Sequence, residues 1–105
     1  MAQRKIIRIT ERYIHPNMEM RVKEVMESVE NEVRKTKGLI RIETMQDRSD
    51  PNRHVVITEW KSRAYLRQWL ESDLCKQSVE KLETVLQKRS GAREFVLHED
   101  DVFLL

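Results

Sequence analysis

The chain has 105 residues, 20 of them Lys or Arg and 18 Asp or Glu, so the formal net charge is +2, and 39% of the residues are hydrophobic. This length predicts a single domain, residues 1–105, with a small core. The mixed signs of charge disfavour a dedicated nucleic-acid-binding protein, and no apolar run approaches the roughly 20 residues of a membrane-spanning helix.

The first two predicted elements are a strand and a helix. Residues 5–14 are rich in β-branched and aromatic types, which favours a strand. From Met18 onward, apolar residues recur every three or four positions with charges between them, which predicts an amphipathic helix. We expect this helix to end at Lys37, because Gly38 can adopt the left-handed conformation that commonly follows a helix.

A β-hairpin and a helical segment follow. Residues 39–46 and 54–60 both have strand character, and turn-forming residues around Pro51 separate them. Residues 61–88 show apolar side chains at helical spacing. We expect an interruption of this helical segment near Ser72, because serine favours a cap over a helix interior.

The last predicted element is a short strand. Ser90 and Gly91 are expected to form a break, and residues 95–97 have strand character. The complete order is βαββαβ, which predicts an α+β, ferredoxin-like domain with a four-stranded antiparallel sheet. Right-handed crossovers put both helical segments on one face of that sheet, so the other face is left bare.

The strands carry apolar residues on both faces, which predicts a partner chain. Val55 and Ile57 lie on one parity of the third strand, whereas Val56 and Trp60 lie on the other. A sheet with one solvated face alternates apolar and polar residues, and these strands do not. We therefore expect a homodimer in which two sheets face each other. The apolar tail, residues 98–105, could cross to the partner, or it could fold back or fray.

Two tryptophans form the strongest local signal for a ligand site. Trp60 closes the third strand and Trp69 follows on the next helix, so both indole rings could reach the same end of the domain. Two flat rings can form a slot for a planar ligand, with the indole N–H groups as polar contacts. The alternative is that both side chains belong to the core.

His54 and Arg41 are candidate polar site residues. His54 shares a parity with Trp60, so its ring could point into an interior cavity, or it could face water at the strand edge. Arg41 could offer a polar contact inside a pocket. Alternatively, Arg41 and Glu43 could form an ion pair at a wet edge or at the seam between two copies.

The sequence gives little support for a metal site or an internal disulfide. The three histidines, His15, His54 and His98, lack any paired spacing, so we expect no metal site. The single cysteine, Cys75, cannot form an internal disulfide, which suits a reducing compartment. Because no targeting signal is visible either, we expect a cytoplasmic protein.

Several segments together resemble a known family. The run KGLIRIETM after the first helix, the DPNR turn, and a strand reading VVITEW followed by KS are similar to the antibiotic biosynthesis monooxygenase (ABM) domains of the dimeric α+β barrel superfamily. The resemblance covers residues 5–97. It implies a homodimeric barrel that holds its ligands between the sheet and the helices of each subunit.

The resemblance also implies a class of chemistry. Some ABM proteins oxidise quinol-type aromatics with oxygen and no cofactor, and a Trp at the position of Trp60 organises the substrate. Others bind haem through a histidine on the second helix, where this chain has Trp69 and Leu70, so we expect no haem. In a cofactor-free monooxygenase, His54 or Tyr13 would help to ionise a substrate hydroxyl, a role inferred from parity and spacing.

Two alternatives remain open at the level of the sequence. A non-catalytic small-molecule-binding or dimerisation module could have the same fold, because fold does not fix function. An RNA-recognition domain shares the βαββαβ order but needs exposed aromatic residues on its third strand. The segment RHVVITEW lacks them, so RNA recognition is disfavoured.

Overall fold

The computed structural model of the protein describes residues 4–88 and 91–97. The predicted order βαββαβ is confirmed, with the second helical segment divided in two. The predicted tail, residues 98–105, and His98 lie outside the described residues. The elements are β1 Ile6–Tyr13, α1 Glu19–Arg34, β2 Leu39–Gln46, β3 Arg53–Trp60, α2 Arg63–Glu71, α3 Asp73–Glu83 and β4 Gly91–Val96.

The four strands form one antiparallel sheet in the order β2-β3-β1-β4. The central strands β1 and β3 pair along their whole length, so Ile6 lies opposite Trp60 and Arg12 lies opposite His54. Because each strand alternates its side chains between two faces, these four residues share one face of the sheet. That face packs against the helices.

The core lies between this inner face and the three helices. It takes one stripe from each helix together with the even-numbered apolar residues of β1 and β3, as amphipathic elements require. None of the helices in the described ranges is long and apolar enough to cross a membrane. The buried core residues are Ile6, Ile14, Val22, Val25, Val29, Val33, Trp60, Leu66, Trp69, Cys75, Leu82 and Val85.

Helix α1 is shorter than its sequence pattern predicts. It ends at Arg34, and the expected end at Lys37 is wrong by three residues. The chain leaves the helix through a turn in which the Thr36 N–H donates to the Val33 carbonyl. Gly38 does adopt a positive φ of 92°, and the Tyr65 side chain occupies the space into which a Cβ would project. Any larger residue at this turn would collide with Tyr65.

The predicted interruption at Ser72 is confirmed. Ser72 is extended, with φ −75° and ψ 154°, and its N–H donates to the Trp69 carbonyl at the end of α2. Its Oγ accepts from the Cys75 N–H at 3.1 Å and so caps α3. One residue therefore ends one helix and starts the next, which fixes the angle at which α2 presents Trp69.

The helical segment also ends earlier than predicted. Helix α3 stops at Glu83, and residues 84–88 turn back toward the start of the fold. There the His15 N–H donates to the Val85 carbonyl at 3.0 Å, and Leu86 forms an isolated β-bridge with Ile14. The fully buried Val85 side chain stabilises this return, which local helical spacing does not reveal.

Strand β4 begins earlier than predicted. Gly91 is its first residue rather than part of a break, and the strand ends at Val96, so the predicted span 95–97 is too short and too late. The edge of β1 explains the difference, because Glu11 pairs with Gly91 and Ile6 with Val96. A partner strand supplies the backbone hydrogen bonds that weak local propensity does not.

No helix of residues 4–88 and 91–97 covers the outer face of the sheet. Ile7 and Ile9 of β1 share this face with Ile57 of β3 and Phe95 of β4, as the paired registers and the alternation require. Phe95 is 48% exposed. The described part of the chain therefore has apolar residues on both sheet faces, as the sequence predicts.

Candidate functional site

A cavity of about 150 Å³ lies between the inner face of the sheet and the three helices. We call it the central cavity. Its apolar lining includes both tryptophans and side chains from α1 and α3. Its polar lining consists of Arg8, Thr10, Arg12, Glu30, Thr44, Thr58 and Ser78, and the Cys75 thiol also lines it.

Trp60 and Trp69 both line the central cavity. They are also core residues, with exposed fractions of 1% and 8%. The Trp60 Nε1–H donates to the Thr58 Oγ1 at 3.0 Å, so this N–H is already occupied within the protein. The two possibilities weighed for the tryptophans are therefore compatible, because the rings contribute to the core and bound the cavity at once.

Arg12 projects from β1 into the same cavity. Its Nη1 donates to the Met26 Sδ at 3.1 Å, which is a weak acceptor, and its Nε finds no hydrogen-bond partner among the described residues. Burial lowers the pKa of Arg12 to about 10, and the positive charge of Arg8 acts in the same direction. The cavity therefore holds a shielded cation.

Arg8 lies four residues earlier on the same face of β1, and its charge is compensated. Its Nη1 donates to Glu94 Oε2 on β4 at 3.1 Å. Glu30 is the carboxylate that lines the central cavity among the described residues, and it accepts from Arg34 one turn along α1. The carboxylates near the cavity are thus engaged with other arginines, and none of the ion pairs found in the described ranges includes Arg12.

His54 lines a second cavity of about 370 Å³, which we call the side cavity. The side cavity lies between α1 and the ends of β2 and β3, and it shares Met26, Glu30 and Thr44 with the central cavity. The His54 Nδ1 is shielded from solvent and has no hydrogen-bond partner among the described residues. Burial lowers the pKa of His54, the nearby Arg12 charge adds to this effect, and the Pro51 carbonyl opposes it.

Tyr13 and Arg41 lie on the outer face and line neither cavity. The Tyr13 hydroxyl donates to Glu11 Oε2 at 3.1 Å. Arg41 bonds Glu59 at 2.8 Å and Glu43 at 3.0 Å, which is the ion-pair arrangement considered for it. The fold thus puts Trp60 and Trp69 in the wall of the central cavity and His54 in the adjoining side cavity. Tyr13 and Arg41 lie on the opposite face of the sheet.

Cys75 is buried at the wall of the central cavity. Burial raises the pKa of its thiol, with the Arg8 charge acting in the opposite direction. The thiol form is therefore favoured at neutral pH, and this side chain contributes a small apolar surface to the cavity.

Arg8 and Arg12 of β1 line the central cavity but were not among the residues predicted from the sequence. Their signal was present, because Arg8 and Arg12 share the even parity of Ile6 and Ile14, the buried residues of the same segment. A charged residue on a core-facing parity is rare unless it is paired or functional. Strand alternation puts both arginines in one set of β1 residues, but only the structure shows that this set faces the helices.

One protein family matches most of the chain. The family described as "Antibiotic biosynthesis monooxygenase" (ABM) matches residues 5–81. This span includes β1 to β3 and both tryptophans. No curated protein sequence matches the chain significantly.

Solved structures share the fold at low sequence identity. A conserved protein from Methanosarcina mazei Go1 is 21% identical over 90% of this chain and 93% of its own, with a TM-score of 0.80. SnoaB, a cofactor-independent oxygenase from Streptomyces nogalater, is 14% identical over 92% and 96%, with a TM-score of 0.81. A further structure described as an antibiotic biosynthesis monooxygenase is 18% identical over 86% and 95%, with a TM-score of 0.76.

Proposed function

Because the chain belongs to the antibiotic biosynthesis monooxygenase family, we propose that it is a homodimeric, cofactor-independent monooxygenase that oxidises a quinol-type or other reduced aromatic molecule. The observation that carries this proposal is the central cavity, which has Trp60 and Trp69 in its walls. A cavity of about 150 Å³ in an apolar core can hold a benzene-sized ring. One aromatic ring is therefore the natural occupant.

The proposed reaction needs no electrons from outside the substrate. A hydroquinone and O₂ give a hydroxylated quinone and water, so one oxygen atom enters the ring and the other leaves as water. All four electrons that reduce O₂ come from the ring, and the two protons of the water come from the hydroquinone. The protein has to bind the ring, exclude bulk water and assist loss of a hydroxyl proton.

Arg12 and His54 suit these tasks. A shielded guanidinium stabilises a developing phenolate more strongly than a solvated one would, because the cavity has a low dielectric constant. The lowered pKa of His54 keeps its ring neutral near pH 7 and therefore able to accept a proton. We propose that His54 receives the proton from the side-cavity end, directly or through one water.

The proposed dimer uses the outer face of the sheet. Ile7, Ile9 and Ile57 form its apolar centre, and the Arg41–Glu59 and Arg53–Glu11 ion pairs lie on the same face. Burying an apolar surface contributes about 25 cal/mol per Å², which favours a second sheet as the cover. Arg41, expected from the sequence as a binding residue, is instead proposed to act at this interface.

Oxygen uptake tests the proposed function. Hydroquinone and naphthohydroquinone are supplied in turn, and consumption of O₂ is measured against the protein-free rate. We expect Trp60→Ala to abolish uptake where the protein folds, and Trp60→Phe to lower kcat/KM roughly tenfold or more, because the ring loses its wall. Tyr65→Phe is the control, since Tyr65 lines neither cavity. Unchanged turnover in the folded Trp60 variants would remove Trp60 from the site.

A non-catalytic binding protein is the second candidate. It is favoured by one observation, the location of His54 in the side cavity and not in the central cavity. The central cavity then has arginines, hydroxyls and a thiol but no imidazole among its described lining residues. Saturable binding of a quinol without oxygen uptake would support this candidate over the monooxygenase.

A further inference from the structure

The central cavity contains a positive charge for which the described residues provide no counter-ion. Among the described residues, the Arg12 side chain donates a hydrogen bond to the Met26 sulfur, and its Nε is buried without a hydrogen-bond partner. Unpaired buried charges are costly in proteins, so they are rare outside functional sites. Packing of the core does not explain why an arginine without a counter-ion lies at this position.

No side chain of the described ranges near the central cavity is available to neutralise Arg12. Arg8 is paired with Glu94, and Glu30 is paired with Arg34. Arg12 therefore shares the central cavity with a second guanidinium and with a carboxylate that is already engaged. His54 lies opposite Arg12 on β3, and its lowered pKa favours the neutral ring. A neutral imidazole does not compensate the charge of Arg12.

We infer that the ligand of the central cavity is a single-ring aromatic carboxylate, whose carboxylate pairs with the Arg12 guanidinium and whose ring lies against Trp60 and Trp69. The inference rests on the proposed function only for the choice of a hydroquinone as the ring. The carboxylate would displace the weak sulfur contact and accept from the Nε–H that has no described partner. Guanidinium and carboxylate match as a planar, bidentate pair.

The size and lining of the cavity support a small ligand of this kind. A volume of about 150 Å³ accommodates one ring with little excess, so larger fused aromatics would need the side cavity as well. Hydroxyl groups of Thr10, Thr44 and Ser78 also line the cavity and can bond to ring hydroxyls. The cavity thus has apolar walls and a cationic group, and an aromatic ring with an acidic substituent is complementary to both.

Calorimetric titration without oxygen tests the inference directly. The probes are 2,5-dihydroxybenzoate, its methyl ester and hydroquinone, which share the ring and differ in the charge. We expect the acid to bind roughly 10- to 100-fold more tightly than the ester, because the charge-assisted pair is lost in the ester. Equal affinities for the acid and the ester in the unmodified protein would overturn the inference, and this comparison needs no variant.

Two substitutions test which arginine is responsible for the preference for the acid over the ester. Arg12→Met should remove the preference for the acid over the ester, whereas Arg8→Gln should change it less than roughly threefold, because Arg8 already has a carboxylate partner. Arg12→Met should also raise the melting temperature, since it replaces a partly buried and poorly compensated charge with an apolar side chain of similar length. Full preference for the acid in Arg12→Met would overturn the assignment. If that variant does not fold, Arg12→Gln provides the same test.

Oxygen uptake separates this inference from the proposed function. Tight, Arg12-dependent binding of the acid with no oxygen consumption would support the inference and contradict the monooxygenase. Oxygen consumption with hydroquinone and no preference for the acid would support the monooxygenase and contradict the inference.

Discussion

At the scale of single residues, the site depends on which groups are paired. Arg8 and Arg12 are identical side chains four residues apart on the same face of one strand, yet only Arg8 has a carboxylate partner among the described residues. The difference makes Arg12 the candidate ligand contact. The same reasoning applies to His54, whose shielded Nδ1 lacks a described partner and whose pKa is lowered by burial.

The lowered pKa of His54 predicts how stability depends on pH. Below about 6.5, the ordinary value, the unfolded chain takes up a proton at His54 more readily than the folded protein does. The free energy of unfolding should therefore fall as the pH drops from about 6.5 through the folded-state pKa. Urea unfolding of the protein and of His54→Gln over this range measures the contribution, which should disappear in the variant.

The control for this measurement is His15→Gln, at an exposed turn residue. This variant should retain the pH dependence of the parent protein. The prediction fails if His54→Gln loses stability with falling pH as steeply as the parent does.

At the scale of elements, Ser72 connects helix packing to the site. Its side chain accepts from the first turn of α3, and its backbone N–H closes α2, the helix that carries Trp69. A single cap thus sets the direction of two helices and the position of one wall of the central cavity. After α1 ends at Arg34, the buried Gly38 turn fits tightly against Tyr65 of α2.

Substitution of Ser72 tests this role. Ser72→Ala should lower the free energy of unfolding by about 1 kcal/mol, because the Cys75 N–H loses its acceptor. Denaturant unfolding followed by tryptophan fluorescence measures the change. Ser49→Ala, in the exposed loop between β2 and β3, is the matched control and should be near neutral. A stability loss no larger than that of the control would refute the capping role.

At the scale of the whole molecule, one sheet separates two surfaces of different composition. The inner face and the helices enclose the cavities, whereas the outer face presents apolar residues between ion pairs. Tyr13 and Arg41 belong to the outer surface although the sequence suggested both for the site. A dimer through the outer face would therefore leave the central cavity inside each subunit.

The assembly prediction concerns sedimentation. The protein should sediment at micromolar concentration with twice the mass of the 12.7 kDa chain. Ile9→Lys should produce a monomer, because it puts a charge at the centre of the outer face on β1. Met20→Lys, at a residue of α1 that is 77% exposed, should leave the mass unchanged. A well-folded monomer of the unmodified protein would disprove the proposed dimer.

The sequence by itself determined the order of the elements, the break at Ser72 and the presence of apolar residues on both sheet faces. These features follow from local periodicity and from the backbone preferences of particular residues, which need no distant contacts. For the same reason, the sequence could predict that Trp60 and Trp69 line one site, since a strand end and the next helix are neighbours in the chain.

Only the tertiary structure decided which parity of each strand faces the helices. Alternation divides β1 into two sets of residues but does not say which set is covered, so Arg12 and Tyr13 were not distinguished before the helices were in position. Residues 84–88 and the start of β4 at Gly91 likewise depend on pairing with β1, which is distant in the chain. Long-range contacts outweigh local propensity at these places, because a paired backbone and a buried side chain contribute more than a weak local preference.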